Sequence, residues 1–457
     1  MESQMRSISN KSLINLLLFL VWMLVILVGY YINHKPMEAG TLSAPVSALF
    51  DVLGAFLIML IIGGIGRIAL PAPSLSPLER FGLQAALGVG IMSLFWLLLG
   101  ELHLYYRWTP FLMLFLLLVY KPSLAWIKEL STLGSVWKQS QLLEKWLGGF
   151  SVVLAANQLF LALCPPTRWD ALAYHLQLPR LFLEQNSIQI IPSNPYWGQA
   201  QVGEMLFTWA VSLYRAETAA VLCWMVGMTF LVGVFGFTSR HTARMISSPA
   251  GDPSCPDHSP TAGWMAVAAL LSGLTFRSML SGSYTDIFAA FMGLAVLVAL
   301  FAWLDSREGT WLVWVGVFIG LAMGVKLTAG ILAPAIVVFT LVNRKNNGTP
   351  SKFFIWSILL AILFFLPWIL KNWSGTGNPL YPYFFPTQWV SALRLSAAIE
   401  MSSQTDWLEQ LFLPITLTWR GVEMDGLLVP IQALYCCCLR FPGCGSFVNS
   451  PKPMRFS

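Results

Sequence analysis

The sequence predicts an all-α polytopic membrane protein with about eleven or twelve transmembrane helices, and three observations lead there. Only 11% of the 457 residues are charged while 56% are apolar, against about 25% charged in soluble domains. The 27 Lys and Arg and 21 Asp and Glu are too few to coat the polar surfaces of two or three water-soluble domains, which a chain this long would otherwise form. Apolar runs close to the ~20 residues that a helix needs to cross the hydrocarbon core recur along the whole chain. The net charge of +6 is modest and spread out, with no basic stripe for nucleic acid, so no nucleic-acid partner is expected. Of the seven cysteines, Cys436, Cys437, Cys438 and Cys444 crowd the tail, and neither a disulfide framework nor zinc spacing emerges.

The spans fall near 12–33, 45–66, 81–100, 109–126, 147–164, 217–238, 262–281, 285–304, 311–329, 330–343 and 353–370, with a weaker candidate near 426–440. The first run follows Arg6 and Lys11 and lacks a small-residue cleavage pattern, so it reads as a retained span rather than a signal peptide. The 311–343 stretch reads either as two short helices or as one span with a re-entrant piece. With the N-terminus cytoplasmic, alternate connections carry Arg67 and Arg80, Lys128, Lys138 and Lys145, Arg240 and Arg244, Arg307, and Arg344, Lys345 and Lys352, the basic excess expected of cytoplasmic loops. Two long segments, 165–216 and 371 to about 410, then emerge on the opposite face, where a site is to be sought. The 240–260 connection reads as a polar loop, and His241, Cys255 and His258 in it match no metal-ligand spacing.

After the fifth span, Pro165 and Pro166 stop the helix. Asp170 then opens an interfacial helix whose apolar stripe is Leu172, Leu176 and Leu183, with Asp170, Tyr174 and Gln177 on another face and a bend at Pro179. Asp170 has two competing readings. It is a good N-cap, and it is a carboxylate at the membrane surface able to act as general base towards an acceptor hydroxyl.

Three more ionisable residues interrupt apolar spans: Arg277, Asp286 and Lys326. Counting ~1.5 Å per residue brings all three to a similar level near the outer leaflet. Charges there face a cavity or one another, so the alternatives are a site or a structural ion pair. Gly316, Gly320 and Gly324 recur every fourth residue and let a neighbouring helix approach, which fixes Lys326 in a position suited to a phosphate. Past the last strong span, Lys371 and Asn372 stand where a lipid-linked phosphate or sugar would arrive.

Arg168-Trp169-Asp170-Ala171-Leu172-Ala173-Tyr174-His175, Ser283-Tyr284-Thr285-Asp286, Gly320 through Lys326, and Pro367-Trp368 followed by Asn378-Pro379-Leu380-Tyr381-Pro382 together resemble bacterial integral-membrane glycosyltransferases of the GT-C class. The similarity is to the branch of protein O-mannosyltransferases, the lipid A aminoarabinose transferase and rhizobial galacturonosyltransferases. It covers roughly 147–385 as a catalytic module that includes the outer loop 165–216. Residues 1–146 would be a four-helix extension, and 386–457 an outer loop and atypical tail that departs from the pattern as a truncated or altered reading frame would.

The resemblance implies a polyprenyl-phosphate sugar as donor, a lipid, glycan or protein acceptor, and an active site on the extracytoplasmic face of a bacterial inner membrane. It makes Asp170 the base and Asp286 a second site acid, the two able to touch a divalent metal ion. Lys326 and Arg277 would meet the donor phosphate, and His175, Arg180 and Glu204 would lie in the same outer segment. The rival reading is a transporter or flippase, which predicts paired repeats, broken helices and charges near the midplane; no repeat is visible.

Overall fold

The computed structural model describes residues 39–246, 259–344 and 348–382, scattered residues between 18 and 29, residue 389, and residues 423–424 and 427–428. Two compact units form, Met1–Phe385 and Pro386–Ser457. Within the second, Glu423–Met424 pairs antiparallel with Leu427–Leu428. Most of the 12–33 run, residues 247–258 of the polar loop, and nearly all of the 386–457 segment with its 426–440 run lie outside the described residues.

The first unit is helical: α1 (Ala39–Ala69), α2 (Pro77–Glu101), α3 (Thr109–Met113), α4 (Tyr120–Lys128), α5 (Ser131–Gln139), α6 (Leu142–Ala162), α7 (Gln177–Glu184), α8 (Val202–Leu213), α9 (Ala216–Ile246), α10 (Pro260–Ser272), α11 (Leu274–Ser281), α12 (Asp286–Ser306), α13 (Thr310–Val325), α14 (Leu332–Arg344) and α15 (Ser351–Thr376). Among the described residues five helices, α1, α2, α9, α12 and α15, are long and apolar enough to cross a membrane, or up to seven if each bent pair counts as one span. They mark a membrane protein, with fewer clear spans than the apolar runs predict. The 109–126 run belongs to a helix pair bent by 71°, and the 262–281 run is α10 and α11 bent by 77° at Gly273. The 311–343 stretch is two short helices parted by an extended Lys326 (φ −144°, ψ 130°) and a 3-10 turn, Leu327–Ile331.

Local chemistry explains the helix ends. Pro77 opens α2, where its missing N–H costs nothing, and the Glu79 carboxylate reaches back 3.2 Å to the Ser76 N–H. Gln141 and Glu144 do the same for α6 at 2.8 Å. Gly377, at φ 72°, stops α15 in the left-handed conformation that L side chains avoid.

The core gathers around α2 and α9, whose apolar windows are mostly buried, whereas that of α15 is almost bare. Ile355, Ile358, Leu359, Ile362 and Leu363 stand exposed along it, a surface that requires lipid or an apolar partner. The glycine spacing of α13 serves this same helix. A methyl on Gly316 would lie 1.9 Å from the Ser357 carbonyl oxygen, and one on Gly320 2.4 Å from that of Ala361, so α13 meets α15 backbone to backbone.

One end of the bundle is held by ion pairs. Glu129 takes Arg67 and Arg80, each at 2.8 Å. Glu79 takes Arg240 at 2.8 Å, and Asp305 takes Arg240 and Arg244. Asp305 lies nineteen rises, about 28 Å, along α12 from Asp286, which separates this end from the candidate site by about the thickness of a hydrocarbon core.

Candidate functional site

The segment leaving α6 carries Asp170 into a single π turn, Ala171–His175, followed by α7. A π turn admits an extra residue and shifts the helical register. The predicted stripe holds at Leu176, which is buried, but not at Leu172, which is exposed, and Leu178, Pro179 and Phe182 are buried beside it. The break falls at Leu176 rather than at Pro179, which sits in the first turn of α7 where it displaces no hydrogen bond.

Asp170 occupies the cap position of this turn, yet its side chain makes no capping bond. No bond therefore supports the capping reading of this carboxylate. Asp170 lies close enough to Tyr284 for its charge to act on that phenol, which sets the loop before α12, and with it Asp286, near the π turn. Tyr174 stands among the acids. Burial, followed by the charges of Asp170, Glu204 and Asp286, pushes its pKa above the ordinary phenol value. Burial and Asp170 likewise raise Tyr284. Both phenols thus remain neutral hydrogen-bonding groups.

Tyr174 is held from behind. Its ring stacks on Tyr196 at 4.2 Å between centroids, and Tyr196 is fixed by the 3-10 turn Pro195–Gly198, whose cap Asn194 donates to the Ala173 carbonyl at 2.9 Å. The neighbouring His175 points into the core, where Nδ1 lies 2.7 Å from Glu204 Oε1 on α8; the two side chains are 1% and 5% exposed. His175 Nε2 and Glu204 Oε2 are both buried without a partner. A carboxylate on one ring nitrogen fixes the orientation of the other, and this dyad sits directly behind Tyr174 and Tyr284, with centroid distances of 4.1 and 5.7 Å.

On the other side, Lys326 Nζ meets Asp286 Oδ1 at 2.6 Å, with side-chain exposures of 34% and 30%. Lys326 and Tyr174 line a cavity of about 270 Å³ with Gln199, Thr328, Trp368 and Asn372. A second cleft of about 360 Å³ runs between α13, α14 and α15 and is almost wholly apolar. Phe365 and Ile369 line both spaces, so the apolar cleft adjoins the cavity that holds Lys326.

The remaining expected residues stand elsewhere. Lys371 is buried, and its three ammonium hydrogens are spent on the carbonyls of Trp197 and Gln199 (3.1 Å) and on Gln201 Oε1 (3.2 Å); the Trp197 ring covers it at 4.4 Å. Asn372 Nδ2 donates to the Gly198 carbonyl at 2.7 Å and to that of Tyr381 at 3.2 Å. Of the expectation that Lys371 and Asn372 meet a lipid-linked phosphate or sugar, the Lys371 half is corrected: its ammonium latches segment 197–201 to α15, and held by three carbonyl oxygens it has no hydrogen left to donate. Asn372 shares that latch and also lines the cavity at Lys326.

Arg180 is an exposed partner of Glu184 at 2.8 Å. Arg277 is half-buried on α11 with Nε unpartnered, and it does not join the Asp286–Lys326 pair. Among the described residues no three His, Cys, Asp or Glu side chains gather as a metal site, and Asp286 commits an oxygen to Lys326. That donor set does not fit a divalent ion held by Asp170 and Asp286.

Sequence reasoning did not find the His175–Glu204 pairing or the role of Tyr284. Twenty-nine residues separate the dyad, and no local spacing signals such a contact.

A family model described as a domain of unknown function (DUF8201) matches residues 255–400. The match takes in Asp286, Lys326, Lys371 and Asn372 and leaves out Asp170, His175 and Glu204. No curated protein and no solved structure matches the chain.

Proposed function

We propose that the chain is a membrane glycosyltransferase with the architecture of the GT-C class, moving a sugar from a polyprenyl-phosphate donor to a hydroxyl acceptor at the outer face of a bacterial inner membrane. The observation that carries this reading is that the apolar cleft between α13, α14 and α15 adjoins the cavity at Lys326 across the shared residues Phe365 and Ile369. An isoprenoid tail fits the first, and the phosphate meets the cation at the junction. Lys326, one-third exposed beside Asp286, keeps an accessible face for that phosphate.

The chemistry follows from the side chains. Asp170, not engaged in capping, takes the proton of the acceptor hydroxyl. The acceptor oxygen bonds to the anomeric carbon as the bond from that carbon to the phosphate oxygen breaks, inverting the centre. Polyprenyl phosphate departs with its charge against Lys326, a stabilisation strengthened by shelter from water. Neutral Tyr174 lines the cavity, both Tyr174 and Tyr284 pack on the His175 ring, and the His175–Glu204 dyad backs the π turn that presents Tyr174. No step is routed through a metal ion.

The reading is tested by incubating purified protein with labelled polyprenyl-phosphate sugars and lipid, glycan or protein acceptors. Transfer that Asp170→Asn abolishes supports it, and absence of transfer from every donor counts against it. The rival, a carrier or flippase of lipid-linked solutes, draws on the helix break at Lys326, since broken helices build transporter sites. Movement of a lipid-linked sugar across sealed vesicles without any transfer would favour that rival.

A further inference from the structure

We infer that the outward faces of α4, α5 and the first turns of α6 form a docking surface for anionic phospholipid headgroups, at the ion-paired end of the bundle. The inference stands apart from the glycosyltransferase reading, because that end lies about 28 Å along α12 from Asp286.

α4 is pinned by one face. Trp126 stacks on Phe81 at 4.3 Å and donates to its carbonyl at 2.9 Å. A methyl on Gly63 would lie 2.1 Å from the Trp126 ring, and one on Gly64 2.2 Å from Ser123 Oγ, so α1 gives α4 its seat. With Ser123 and Trp126 facing inward, Lys121, Leu124 and Lys128, at i, i+3 and i+7, share the outward face and are exposed. α6 repeats the pattern with Leu142, Lys145 and Trp146, all exposed, Trp146 by 70%. Between them, Lys138 is exposed on α5 next to Trp137.

The exposed charges of this surface have one sign. Its two acids are taken up from within: Glu129 by Arg67 and Arg80, and Glu144 by the Thr261 hydroxyl at 2.6 Å and the Gln141 N–H at 2.8 Å. Four exposed ammonium groups beside exposed leucine and tryptophan suit a helix lying in the headgroup layer. The apolar side chains enter the acyl boundary while the lysines reach the lipid phosphates. The 71° bend of the helix pair that holds α4 and α5 fits an interfacial course rather than a straight span. Charge selects the occupant: an anionic surface favours each lysine by roughly fivefold in affinity, and a zwitterionic one offers no net attraction.

The test titrates the full chain, in neutral detergent, with phosphatidylglycerol or with phosphatidylcholine of the same acyl chains, and counts bound lipid by native mass spectrometry. Phosphatidylglycerol should bind at least about tenfold tighter at low salt, and raising salt to ~0.5 M should remove most of that preference by screening. A photoreactive phosphatidylglycerol should crosslink within 120–146. The combined variant Lys121→Gln, Lys128→Gln, Lys138→Gln and Lys145→Gln should cut the preference to about threefold or less and leave phosphatidylcholine binding unchanged. Equal binding of the two lipids, a preference that survives high salt, crosslinks confined to other segments, or a variant that keeps the full preference would each overturn the inference. Salt dependence and crosslinking are read on the unmodified chain, so they decide the matter even if the variant fails to fold.

Discussion

Lys371→Met separates a latch from a substrate contact. Methionine keeps an unbranched side chain, with a sulfur in place of one methylene, and removes the ammonium, which leaves the Trp197 and Gln199 carbonyls and Gln201 Oε1 without their shared donor. Each buried acceptor left dry costs about 1–3 kcal/mol, a gross loss of about 3–9 kcal/mol. Relief from burying the charge offsets several kcal/mol of this, and loss of the cation–π contact with Trp197 adds about 1 kcal/mol. The net is a destabilisation of about 2–4 kcal/mol, concentrated where α15 holds segment 197–201. Thermal melting in detergent should show a clear fall, and limited proteolysis should cut within 185–201 sooner than in the unmodified chain. A variant that melts and digests normally yet loses donor binding would refute this reasoning and return Lys371 to the substrate site.

Three further outcomes follow from the same geometry. Lys326→Met should cost less than about 1 kcal/mol of stability, because its ion pair is one-third exposed, while weakening polyprenyl-phosphate binding at least tenfold; melting and binding on the same preparation check this. Gly316→Val should prevent α13 from seating on α15, since its Cβ would meet the Ser357 carbonyl, with a loss of more than about 3 kcal/mol, seen as loss of monodisperse protein in size-exclusion chromatography. The unfolded chain ionises Tyr174 near pH 10 while the folded chain keeps the proton because the folded pKa is raised. Stability contributed below pH 10 is therefore lost as pH climbs from there towards the folded value, and Tyr174→Phe should flatten the fall in melting temperature between pH 9 and 11.

How much could be read from residues alone depended on the range of the interaction. Apolar runs locate α1, α2, α9, α12 and α15 because lipid solvation acts along a single helix. Composition cannot register the bend at Gly273 or the extended backbone at Lys326, so more spans were expected than the five that stand clear. Asp286 and Lys326 were legible as equal-depth charges and do meet. The four-residue glycine spacing anticipated a close neighbour, and α15 is that neighbour. Lys371 was misread because its partners are backbone carbonyls, which leave no trace in residue identity. The π turn at 171–175 was equally hidden, since it depends on how Tyr174, Tyr196 and the His175–Glu204 dyad pack rather than on local propensity.

The central claim, that Asp170 is a working carboxylate rather than a structural cap, is met most directly by comparing Asp170→Asn with the unmodified protein in one assay of sugar transfer from a polyprenyl-phosphate donor, with melting measured alongside. The account predicts a fall in transfer of about a hundredfold or more with melting unchanged, because no capping bond is lost. Full transfer by Asp170→Asn, or a fall in activity that merely tracks a fall in melting temperature, would contradict it.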